Sequence, residues 1–123
     1  MRVAVIGAGI SGVAAARVLK AAGHEVVVFE GHREVGGVWA RTYPGTRLQN
    51  VAEQYRLGDF PWPQPPDRHP TREQITRYIA AAIRHFALDV RCEHRVVTMV
   101  EDGEGWALTL ADCRVTSSIL ATR

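Results

Sequence analysis

Apolar residues enter this chain as short continuous runs near the N-terminus and at helical spacing in its middle. Val3 to Ile6 is unbroken apolar sequence, which reads as a strand buried on both faces, as in a parallel sheet. Gly7 to Gly12 is a glycine-rich turn, and Val13 to Ala22 is small and helix-favouring, with Gly23 placed as a C-terminal stop. Glu25 to Glu30 (EVVVFE) reads as a second buried strand. Together these predict a β-α-β unit within the first thirty residues. Thr71 to Ala87 is the clearest helix. Ile75, Tyr78, Ile79, Ala82, Ile83 and Phe86 fall at i, i+3, i+4, i+7, i+8 and i+11, one apolar stripe. Thr71 and Gln74 have capping-box spacing, and Pro70 bars backward extension.

Leu88 to Cys92 is expected to be a third parallel strand. Val96 to Val100 and Trp106 to Leu110 predict a hairpin outside that sheet, with Gly103 and Gly105 in its turn and Trp106, Leu108 and Leu110 alternating. Val115 to Thr122 reads as a last β segment that rejoins the parallel sheet near Ile119. Between the second strand and the long helix, Gly31 to Pro70 has no periodicity. It holds all six prolines and two of the three tryptophans. An irregular segment of that length in a compact domain is usually functional, and its aromatics argue against disorder.

Composition narrows the class. The chain has 123 residues, 46% hydrophobic and 23% charged, the profile of one small globular domain spanning residues 1–123. The net charge of +2 gives no footprint for nucleic acid. No run reaches the roughly 18 apolar residues of a membrane span. Arg2, the apolar run and Ala14 to Ala16 mimic a secretion signal, but glycines interrupt the run and Arg17 and Lys20 follow without a mature start. Cys92 and Cys113 are too few for a disulfide scaffold, and a reduced, cytoplasmic setting is the default. The lopsided basic set, Lys20 against fourteen arginines, is read as codon background.

The candidate chemistry begins at Gly7-x-Gly9-x-x-Gly12. The pattern alone is weak, but here it follows a strand, opens a helix and lies inside a β-α-β unit, the context that gives it meaning. Gly7 permits the sharp turn, Gly9 lets a pyrophosphate approach the backbone, and Gly12 lets helix and strand pack closely. With Ile10 and Ser11 they place free amides at a helix N-terminus, where phosphates are favoured. Glu30 ends the second strand 18 residues after Gly12, the spacing of an acid that accepts hydrogen bonds from a ribose diol. Its carboxylate would repel a 2′-phosphate, so the site should not prefer NADP. These features leave FAD and NAD unseparated. Beyond Glu30, Gly36-Gly37 would let backbone amides approach a cofactor, and Trp39 could cover an apolar ring.

Other constellations are bland. Cys92-x-His94 and His85 lack the paired spacing of a metal site. Ser11 lacks the GxSxG context of a hydrolase nucleophile, and Ser117 and Ser118 have no visible companions. Pro61 to Pro66 (PWPQPP) reads as a stiff connection, with docking to a polyproline-binding partner as the lesser alternative.

Taken together, GAGISG, the GGVW run from Gly36 to Trp39, Tyr43-Pro44-Gly45 and DFPWP from Asp59 to Pro63 resemble, in this order, the N-terminal part of the flavin-containing monooxygenase and Baeyer-Villiger monooxygenase group. DFPWP points to the flavin-containing side. The resemblance implies an α/β, Rossmann-like FAD-binding domain, its parallel sheet carrying a β-hairpin insertion. It implies Gly7, Gly9, Ile10, Ser11, Gly12 and Glu30 on FAD, and Gly36, Gly37 and Trp39 beside the flavin. Family members often carry Asp or Asn near the flavin ring. Counting back from DFPWP places Gln49 there, with Asn50 beside it, and no residue receives a catalytic role. Tyr55 reads equally as an aromatic match and as a packing tyrosine.

In such enzymes NADPH reduces the flavin and dioxygen supplies the atom transferred to a soft nucleophile or a ketone. The cofactor carries that chemistry and the protein supplies position and electrostatics. A second glycine-rich motif for NADPH and the family's His-containing signature are not found in this sequence, and Arg123 stands where the family's apolar-Ala-Thr-Gly strand end has glycine. The expected function is the FAD-binding part of an NADPH-using monooxygenase, with NADPH held in a missing C-terminal domain and the substrate unnamed. The alternatives are a dinucleotide-binding module completed by a partner chain, and a non-catalytic remnant.

Overall fold

The computed structural model describes residues 1–111, 113–115 and 120–122. Asp112, residues 116–119 and Arg123 lie outside them, and with them the readings placed on Ser117, Ser118, Ile119 and Arg123. The elements run β1 (Arg2–Ile6), α1 (Ile10–Ala21), β2 (Glu25–Phe29), α2 (Val38–Arg41), a 3-10 turn (Ala52–Gln54), α3 (Arg72–His85), β3 (Asp89–Arg91), β4 (Val96–Asp102), β5 (Gly105–Leu110), β6 (Cys113–Val115) and β7 (Leu120–Thr122).

A four-stranded sheet has the order β3-β2-β1-β7, and each of its pairings is parallel. Val3, Ala4 and Val5 are essentially inaccessible in β1, as the continuous apolar run requires. The pleat divides the strands between two cores. Val5 and Val28 point into a cluster with Val13 and Ala16 of α1 and with Ile75, Tyr78, Ile79 and Ala82 of α3. Ala4 and Phe29 point to the opposite face, against Leu108 and Leu110 of β5. The second, antiparallel sheet β4-β5-β6 therefore covers the face that α1 and α3 leave open.

Several boundaries differ from the sequence expectation. The segment expected from Val115 to Thr122 divides. Cys113–Val115 extends the antiparallel sheet, so the expected hairpin is part of a three-stranded sheet, while Leu120–Thr122 returns beside β1. The first helix starts at Ile10, taking Ser11 and Gly12 into its first turn. There the amides have no intrahelical acceptor, so glycine's poor propensity costs little. The third parallel strand is trimmed to Asp89–Arg91.

The stretch from Gly31 to Pro70 is ordered by what it wraps. Tyr78 is buried in α3; its hydroxyl donates to the Phe60 carbonyl at 2.6 Å and accepts from the Leu57 N–H at 2.9 Å. Trp62 stacks on the same ring at 4.2 Å and its Nε1–H donates to the Ala52 carbonyl. Gly58 adopts φ +60° where a Cβ would stand 2.2 Å from Arg17 Nη1. Arg17 fills that space, donating to the Leu57 carbonyl and Asp59 and lying 4.8 Å over the Phe86 ring. Pro61 to Pro66 thus runs beside α3, with Trp62 on the Tyr78 ring.

Both long helices end in the same Schellman turn. Gly23 N–H bonds to Lys20 and His24 N–H to Leu19; Ala87 N–H bonds to Arg84 and Leu88 N–H to Ile83. Gly23 sits at φ +89°, but the equivalent left-handed residue after α3 is Ala87 at φ +49°. Replacing Ala87→Gly is expected to raise stability by about 0.5–1 kcal/mol, because glycine has no Cβ penalty there, measured as a higher urea midpoint at unchanged slope. Tyr78→Phe, which strips partners from two backbone groups at a buried site, is expected to cost about 1–3 kcal/mol in the same measurement.

Candidate nucleotide-binding site

The glycine turn is shaped by what glycine lacks. Gly7 takes φ +100°, and an added Cβ at Gly12 would fall 1.9 Å from the Gly7 carbonyl oxygen. Gly7 N–H donates to Phe29 at 2.8 Å, joining the turn to the end of β2. A second segment then crosses over it. Gly36 N–H donates to the Ala8 carbonyl at 2.9 Å, and an added Cβ at Gly37 would stand 2.9 Å from Gly9 Cα. The two glycine motifs are therefore one construction, a backbone crossing beside a groove of about 320 Å³ walled by Gly7, Gly9, Ser11, Gly36 and Trp39.

At this crossing α1 begins without a cap. Its N-cap is Gly9, no side chain bonds to the first amides, and its first turn has no acid. The contrast with α3 is direct. There Thr71 Oγ1 accepts from Gln74 N–H, and Gln74 Oε1 accepts from Thr71 N–H, both at 3.1 Å, the capping box expected from the sequence. The first amides of α1 lie where an anion can take the place of a side-chain cap.

Glu30 lies beyond the end of β2 and is 5% exposed. One carboxylate oxygen accepts from Ala8 N–H at 2.8 Å; the other accepts from His32 N–H at 2.9 Å and faces His32 Nδ1 at 2.9 Å. Burial pushes its pKa upward, but the Ala8 amide and then the His32 ring and amide outweigh that and hold the carboxyl below its usual range. The acid expected to meet ribose is thus also the tie that holds the glycine turn against β2. His32 and Ala8 had no assigned role in the sequence. A donor-bearing histidine two residues after the acid is the signal that could have singled out the former.

Trp39 is half-buried in α2, and Tyr55 meets it edge-on at 6.4 Å. Among the described residues the buried Tyr55 hydroxyl has no hydrogen-bond partner, and burial pushes its pKa up. Gln49 and Asn50 are exposed in a bend and are not among the groove's lining residues; His69 Nδ1 lies 3.2 Å from the Asn50 carbonyl. The candidate metal residues have other surroundings. His85 packs on Phe60 at 4.7 Å, and His94 Nδ1 faces the Cys92 carbonyl at 2.7 Å. Among the described residues no helix is long and apolar enough to cross a membrane.

A family profile described as an NAD(P)-binding Rossmann-like domain matches residues 5–61, the span from β1 through both glycine motifs. A flavin-containing monooxygenase of Arabidopsis thaliana is 39% identical over 123 residues, covering 97% of this chain and 26% of that protein. The chain is similar to the N-terminal part of flavin-containing monooxygenases. Among solved structures, a flavin-containing monooxygenase from Stenotrophomonas maltophilia superposes with a TM-score of 0.86 at 28% identity, covering 98% of this chain and 36% of that one. An oxidized steroid monooxygenase bound to NADP gives a TM-score of 0.78 at 30% identity, covering 90% and 23%. The chain thus spans about a quarter to a third of the length of these members of the group, and it matches their N-terminal part.

Two outcomes follow from the geometry. Gly12→Ala is expected to disrupt the turn, because the new methyl meets backbone rather than a movable side chain; loss of a few kcal/mol should appear in chemical denaturation, the scale of severe local strain. Because the folded pKa of Glu30 is depressed, its contribution to stability is present above the unfolded carboxylate pKa and is lost as pH falls through the folded one. Glu30→Gln should therefore show a shallower fall of stability with acid than the parent chain, measured by urea midpoints across that range.

Proposed function

We propose that this chain binds FAD as the N-terminal nucleotide-binding portion of an NADPH-using, flavin-dependent monooxygenase. The observation that carries the reading is the bare N-terminus of α1 at the glycine crossing, beside a buried carboxylate at the end of β2. The N–H groups of Ile10, Ser11 and Gly12 would hold the pyrophosphate, with no side chain at Gly9 to obstruct it. Glu30 would accept from the adenosine ribose. Gly36 and Gly37 would run beside the flavin end, Trp39 would cover its apolar edge, and Gln49 with Asn50 would supply polar groups there.

When bound, FAD supplies the redox chemistry, taking electrons from NADPH and passing an oxygen atom from dioxygen to the substrate. The residues of this chain bind and orient it. The depressed pKa of Glu30 keeps an acceptor at the ribose rather than a neutral acid. The NADPH and substrate contacts belong, in this reading, to sequence that the longer members of the group possess. The setting is cytoplasmic.

The purified chain is expected to take up FAD, seen as flavin absorbance retained through gel filtration, and to release it when ADP competes. A folded, colourless chain that refuses both would overturn the reading. Gly37→Ala, which forces a methyl against Gly9 Cα at φ +59°, is expected to weaken FAD binding about tenfold, the equivalent of about 1.4 kcal/mol.

A further inference from the structure

We propose that His32 is an internal competitor for the ribose-binding carboxylate, and so sets the affinity of this site for nucleotides that carry a free ribose diol. The proposal rests on the adenine-dinucleotide reading above and deepens it. It starts from a count of acceptor positions. An ionised carboxylate offers roughly four. Three are taken inside the chain, by Ala8 N–H, His32 N–H and the His32 ring. A ribose diol that donates from both hydroxyls needs two, so the site is one position short.

Two of the three donors are backbone amides, which cannot leave without moving the main chain. The imidazole can leave. Its side chain is 40% exposed, whereas the Glu30 side chain is 6% exposed, so rotation of the ring into solvent frees an acceptor without moving the main chain.

The ring is also poorly matched to its other neighbours. With Nδ1–H donating to Glu30, Nε2 is the acceptor that faces Arg95 Nη2 at 3.4 Å. The same Nδ1–H then confronts Arg41 Nη1 at 2.9 Å, donor against donor. The charged groups around the imidazole are thus Glu30, which holds it, Arg41 from α2, and Arg95, which precedes β4. Arg95 lies against Gly31, within 3.3 Å of where a Cβ would be, on the Nε2 side of the ring. A donor held chiefly by one carboxylate, and exposed on its outer side, is the group that a ribose hydroxyl can replace.

The test is calorimetric titration of the full chain and of His32→Ala and His32→Ser with ADP and with 2′,3′-dideoxy-ADP, each variant first checked by circular dichroism and thermal melting. Removing the ring is expected to tighten ADP binding about three- to tenfold, the range of one net hydrogen bond, and to leave the dideoxy nucleotide unchanged. That gain cannot come from damage to the fold, which would weaken both ligands. Equal changes for the two nucleotides, no change, or weaker ADP binding in both folded variants would overturn the competitor role while leaving nucleotide binding in place. Failure of all chains to bind either nucleotide would overturn the underlying reading and this one with it.

Discussion

The Glu30 carboxylate governs the geometry of the glycine turn. A carboxylate withdrawn from water is strongly unfavourable unless hydrogen bonds replace its hydration. The nearest donor the fold supplies is the Ala8 amide, in the middle of the glycine turn. Meeting that demand draws the turn onto the end of β2, where Gly7 N–H also reaches Phe29. The turn thereby acquires its shape from a contact 22 residues away in sequence. A preformed loop spends no binding free energy on its own ordering.

The second glycine segment depends on the first. Gly36 N–H finds its acceptor at Ala8, the same residue whose amide serves Glu30, so both polar groups of that peptide unit's residue are committed to holding the crossing. Close approach of Gly37 to Gly9 then follows from the absence of two side chains. The long segment that comes after is fixed at its far end by α3. Tyr78 satisfies one amide and one carbonyl of the Leu57–Phe60 turn, and Arg17 of α1 occupies the room left by Gly58. The sequence between the two strands that would ordinarily be a short connection is in this way tied to both helices of one core.

Much of this was legible before any coordinates. The β-α-β unit, the apolar stripe of α3, its capping box and the stop at Gly23 all rest on local rules, in which neighbours in sequence decide the outcome. The division of Val115 to Thr122 between two sheets was not legible, because an alternating or apolar run does not specify which partner strand it joins. The order within Gly31 to Pro70 was also hidden, because its hydrogen bonds go to α3 and α1 and leave no periodicity of their own. At the site, the glycines and Glu30 stood out through their spacing. His32 did not, since the significance of a histidine two residues beyond an acid appears only once the acid is seen to be buried and nearly saturated with donors.

The helix end and the strand end of the glycine turn are treated oppositely, and that asymmetry bears on how a dinucleotide would enter. At the helix end, α1 forgoes the side-chain cap that α3 possesses, a cap whose removal elsewhere costs about 1 kcal/mol. Its amides are left to a negatively charged partner. At the strand end, Glu30 is already supplied by its own chain, and one of its donors must yield before a diol can be held from both hydroxyls. A pyrophosphate would therefore meet donors that are waiting, while a ribose would meet an acceptor that is occupied. Phosphate contact would raise the local concentration of the attached ribose at Glu30, and that intramolecular advantage would allow a neutral hydroxyl to displace a ring held by a carboxylate. In the proposed reading the phosphates would engage first and the ribose would follow, so that the bare helix end and the occupied carboxylate would be successive parts of one recognition event.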